Sequence, residues 1–179
     1  MSLQSISILL GMLAVAGGLL GFYKPALIHR FAELYPRSTV PAWIFTALCC
    51  WLGAREAWAM NMGFLDPYKV YIYAIAPVVF IASVTYLKEL LAARALGGFL
   101  LLIAVPVIRT AALSDKPFFQ VIVALAYVWI IYGLILLMSP WWFRKFYRPF
   151  LENAALFKAA ALAKTAMGLI LIVLGLRVY

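Results

Sequence analysis

Six apolar stretches alternate along the chain with short polar segments rich in cations: Ser5–Tyr23, Ala42–Met60, Val70–Leu87, Leu96–Leu113, Phe118–Met138 and Ala159–Val178. Each approaches the roughly 20 apolar residues that a helix needs to cross a bilayer. The pattern predicts an all-α, polytopic integral membrane protein of about six transmembrane helices. The first, third and fifth stretches carry no charge. The second holds Arg55 with Glu56, the fourth Arg109 and the sixth Lys164, with Arg177 at its end. The first stretch follows a short N-terminus without Lys or Arg and leads into Lys24 rather than a small-residue cleavage site, so it reads as a retained helix.

Composition agrees with this pattern. Of the 179 residues, 68% are hydrophobic and 12% charged, and the mean hydropathy is +1.04. A soluble domain is about 45–50% apolar and about 25% charged. The length suits a single transmembrane domain over residues 1–179 and leaves little for a separate soluble one.

The cations give an orientation. Lys24, Arg30, Arg37, Lys88, Arg94, Arg144, Lys145, Arg148, Lys158 and Lys164 fall on one side of the predicted spans. Arg55, Lys69, Arg109, Lys116 and Arg177 fall on the other. Basic flanks stay on the cytoplasmic side. Both termini are therefore expected outside, in a bacterial inner membrane. This topology and anionic lipid account for the net charge of +9, so nucleic acid is not an expected partner.

Two segments on the basic side, Lys24–Val40 and Ser139–Lys158, mix cations with aromatic rings and are too polar to span. Rings favour the headgroup level, and cations favour anionic lipid. Both segments are expected to lie along the inner surface. Arg30, Trp141, Trp142, Arg144, Lys145 and Arg148 are the candidate lipid- or partner-binding residues, and His29, Phe31, Tyr35 and Phe143 share the same surface setting.

The same segments carry a repeat. Gly18-Leu19 precedes Pro25 by seven residues, as Gly133-Leu134 precedes Pro140, and each Pro is followed by a cation and a Phe, Arg30-Phe31 and Lys145-Phe146. The units then close near Gly53-Ala54-Arg55 and Gly175-Leu176-Arg177. This reads as three parallel helical hairpins, at about 1–62, 63–115 and 116–179, with the first and third most alike. It is not the inverted plan of many transporters. The Gly-Leu and Pro punctuation resembles small bacterial membrane proteins built from repeated hairpins, such as the HdeD acid-resistance family. The likeness covers a few positions per hairpin, the middle hairpin departs from it, and no residue role follows from it.

Arg55 and Arg109 sit one to two turns inside apolar runs, where a charge is costly unless it snorkels or finds a partner. They are the candidate intramembrane anion or salt-bridge site. Glu56 points about 100° away from Arg55 on a helix and is not its ideal mate. Lys164 is expected to snorkel. His29 is the only histidine and reads as a surface residue. Cys49 and Cys50 are adjacent, which is poor geometry for a disulfide. The six carboxylates lie at loops or edges without metal-ligand or acid/base spacing. No phosphate-cradling loop or nucleophile motif is present. These observations point away from an enzyme, with no catalytic or metal residues assigned and the cofactor, if any, unknown.

Small residues mark the expected helix contacts. Gly11, Ala14, Gly17, Gly18 and Gly21 put a close-packing face on the first span. Gly97 and Gly98 open the fourth, Gly168 and Gly175 mark the sixth, and Pro77 and Pro106 are expected to kink the third and fourth. The expected function is a non-enzymatic accessory or scaffolding subunit of a larger membrane complex. Its partners are membrane lipids and other subunits or further copies of itself. The alternative is a small homo-oligomeric transporter or channel for a small solute or anion.

Overall fold

In a computed structural model that describes residues 2–87 and 90–179, the side chains of Arg37 and Leu151 excepted, the described chain contains eight α-helices and no strand. They are α1 (Leu3–Tyr23), α2 (Pro25–Leu34), α3 (Thr39–Ala59), α4 (Val70–Tyr86), α5 (Leu91–Ala112), α6 (Phe119–Met138), α7 (Trp142–Glu152) and α8 (Ala154–Arg177). 3-10 segments at Tyr35–Arg37 and Gly63–Lys69 precede α3 and α4. Five helical stretches are long and apolar enough to cross a membrane: Leu3–Tyr23, Gly63–Tyr86, Leu91–Ala112, Phe119–Met138 and Ala154–Arg177. α3 has 21 residues. It falls outside that set because Arg55 and Glu56 lower the hydropathy of its last turns.

Local chemistry sets the helix ends. Ser2 caps α1 by accepting from the Ser5 amide at 3.2 Å. Pro25 then opens α2 at the position where a missing N–H costs nothing. Asn153 caps α8, its side chain accepting from the Ala155 and Leu156 amides at 3.0 and 3.2 Å. Pro41 falls in the first turn of α3, where it is tolerated, whereas Pro77 in α4 and Pro106 in α5 remove interior hydrogen bonds.

The helices group into two units. One comprises Met1–Leu34, Ala104–Val128 and Arg144–Tyr179, the other Tyr35–Ile103 and Trp129–Phe143, so α5 and α6 are each divided between them. In the first unit α1 and α8 pack antiparallel along a seam of small residues. Gly11 and Gly18 on α1 face Gly168 and Ala161 on α8, while Gly175 meets Gln4 and Ile8. A Cβ on Gly168 would lie 2.7 Å from the Gly11 carbonyl oxygen, so the backbones touch there. Small residues recur every seven positions on both helices, the 3.5-residue period of a left-handed helix pair. Ser7, fully buried, locks the seam by donating to the Leu171 carbonyl at 2.6 Å. Apolar burial is not what drives such contacts in lipid. Close packing and interhelical hydrogen bonds are.

The second unit repeats the device once. A Cβ on Gly97 of α5 would lie 2.7 Å from the Gly133 carbonyl oxygen of α6. Around it, α3 meets α5 through Phe45 edge-on to Phe99 at 5.2 Å, and α4 through Trp58 against Tyr73 at 5.1 Å. Gly97 does not open a span, because α5 already begins at Leu91.

Candidate functional site

The cation-aromatic segments form helices rather than extended loops. α7 is amphipathic. Arg144, Lys145 and Arg148 are exposed, and Phe143, at its start, is buried. Arg148 donates through Nε to Glu152 at 2.7 Å, one helical turn on, and that carboxylate holds the guanidinium above its ordinary value. Trp141 and Trp142 stand exposed, ring against ring at 5.3 Å. Arg30 on α2 is exposed as well. Arg144, Lys145 and Arg148 thus share α7, in the setting that suits an anionic surface.

Two of the aromatics depart from the sequence expectation. Tyr35 and Phe143 are each only 4% exposed and stack on one another at 5.4 Å within the second unit. Tyr35 also meets Phe45 and donates from Oη to the Ala92 carbonyl at 3.3 Å. These rings fasten the two polar segments to α3 and α5 instead of sitting among headgroups. His29 is likewise not a free surface residue. Its ring packs edge-on against Phe157 of α8 at 4.8 Å, and its buried Nε2 has no hydrogen-bond partner among the described residues.

Arg55 and Arg109 are both exposed, Arg55 in the second unit and Arg109 in the first. The Arg55 guanidinium reaches its neighbour Glu56 only at 4.0 Å, with 59% of its side chain accessible. Lys164 is exposed beside Gly17 of α1. Among the described residues, no three His, Cys, Asp or Glu side chains come together in a way that would hold a metal ion. Cys49 and Cys50 are both free thiols.

A cavity lies elsewhere. A groove of about 570 Å³ runs between α3, α4 and α5, wholly within the second unit. Its walls are apolar, with Ile72, Ile75 and Val79 on one side and Ala54 and Ala57 on the other. Among the described residues, the one charged side chain that lines it is Arg94, whose Nε is buried without a hydrogen-bond partner among them. The Cys49 thiol, also in the lining, donates to the Ala95 carbonyl at 3.3 Å. Sequence reasoning counted Arg94 as a loop charge because the apolar run starts at Leu96. The overlooked signal is its setting in Ala92-Ala93-Arg94-Ala95, three small residues that are all buried.

The described chain is all-helical, with five helices long and apolar enough to span a membrane, the composition of a membrane protein. No protein-family model, curated protein or solved structure matches the chain, so the likeness to the HdeD family lends no residue role.

Proposed function

We propose that this chain is a non-enzymatic accessory or scaffolding subunit of a larger membrane complex, holding lipid and partner helices. The observation that carries the reading is the state of α4. None of the most apolar stretch of Gly63–Tyr86 is buried, against 22–39% in the other four candidate spans. A helix so weakly enclosed by its own chain suits a place against another subunit. The exposure of Arg55 and Arg109 supports the same reading, since an outward cation serves a headgroup or a partner carboxylate. The alternative, a small homo-oligomeric transporter or channel, asks for these cations in an internal cavity, and neither lines the groove.

The proposed topology has six spans, with α3 crossing as the second and its Arg55-Glu56 pair reaching the outer headgroups. The spans make three parallel hairpins, both termini are outside, and α2 and α7 lie along the inner surface on anionic lipid. Extraction of native membranes in a mild detergent tests the functional reading through the mass and subunit composition of what accompanies the chain. Stoichiometric foreign subunits are expected. A homo-oligomer or monomer carrying lipid alone would overturn it.

A further inference from the structure

The groove between α3, α4 and α5 has the shape and the charge of a site for one lipid. Along α4 its lining runs from Ile72 to Ser83 and on to Leu87. Fifteen residues of helix rise about 22 Å, more than the roughly 15 Å of one hydrocarbon leaflet. From Ile72 to Val79 the lining on α4 is apolar. At the other end, beside Leu87 and Leu91, stands Arg94. A buried guanidinium nitrogen without a partner is costly, and an anion supplying an acceptor there removes that cost. Arg94 also lies in the first turn of α5, where the helix dipole adds positive potential. Ser83 places a hydroxyl in the lining near the same end.

We infer that this groove binds a single anionic phospholipid of the surrounding bilayer, the phosphate on Arg94 and one acyl chain along α3 and α4. An apolar channel with one cation at its end complements an amphiphile with one anionic head. A free phosphate would leave the apolar length bare, and a lipid without a phosphate, such as a diacylglycerol, would leave the Arg94 Nε without an anionic acceptor. No α7 cation is among the residues that line the groove, and the inference does not depend on the subunit reading.

The test uses the purified, delipidated full chain in mild detergent, with native mass spectrometry and thermal unfolding as readouts. The probes are dioleoyl phosphatidylglycerol, dioleoylglycerol, which has the same acyl chains and no phosphate, and water-soluble glycerol phosphate. Phosphatidylglycerol is expected to give a single retained adduct and a raised unfolding temperature, and the other two are not. Arg94→Gln should lower phosphatidylglycerol retention roughly tenfold or more, the loss of a charge-assisted hydrogen bond. Gly53→Leu gives a second handle. Gly53 lines the groove and an added Cβ there meets nothing within 4 Å, so a larger side chain has room to enter the space that the acyl chain would take. It should abolish the adduct while leaving Arg94 in place. Arg144→Gln, on α7, should leave the single adduct intact. Equal retention of dioleoylglycerol, stabilisation by glycerol phosphate alone, or an adduct that survives Gly53→Leu would each overturn the inference.

Discussion

Tyr35 joins three parts of the second unit with one side chain. Its ring lies on Phe143 and near Phe45, and its hydroxyl reaches the Ala92 carbonyl. The two contributions separate by substitution. Tyr35→Phe keeps the ring and is expected to cost about 0.5–1.5 kcal/mol, the net worth of one hydrogen bond. Tyr35→Ala leaves a cavity as well and is expected to cost about 3–5 kcal/mol. Denaturant titration in micelles checks the order, and equal losses would mean that the ring contacts carry nothing. Sequence alone assigned both aromatics to the headgroup level, because a ring beside a cation at a membrane edge reads that way whether lipid or protein covers it. Arg94 was misplaced for a related reason. A charge just ahead of an apolar run looks like a loop residue until the helix is seen to begin three residues before it, at Leu91.

At the scale of elements, glycine sets how closely helices approach. Gly168→Leu is expected to destabilise the α1–α8 pair by at least about 1–3 kcal/mol, the usual cost of overpacking, because its Cβ would already meet the Gly11 backbone. Gly53→Leu, which adds the same side chain into open space, should leave the unfolding temperature close to that of the parent. Similar losses at both positions would contradict the contact explanation, since helix propensity by itself favours Leu over Gly. The small-residue face of α1 was legible from its spacing, whereas its partner was not, since packing face against packing face is a property of two helices. The ends of α4 and α6 fell within one residue of expectation, yet α5 and α8 begin five residues early, at Leu91 and Ala154. Hydropathy marks the stretch suited to lipid, and the backbone hydrogen-bond ladder continues past it through Arg94 and Lys158. α7 makes its own test. Neutralising Arg144, Lys145 and Arg148 together should weaken retention of bulk anionic lipid roughly fivefold per charge, with the effect fading at high salt. Unchanged retention would remove α7 from the account.

For the whole molecule, the open questions are which side faces in and what covers α4. In a bacterial host, an alkaline phosphatase fused to the C-terminus should be active and a fluorescent protein fused there dark. The reverse pattern would invert the topology and return α7 to the outer surface. What covers α4 is the central matter, since the subunit reading rests on that helix. Val78, 64% exposed and outside the groove lining, reports on its outward face. A photo-crosslinking residue at Val78, activated in native membranes, tests that reading most directly. A discrete adduct containing a foreign polypeptide is the expected result. Adducts with lipid alone, or only with other copies of this chain, would contradict it.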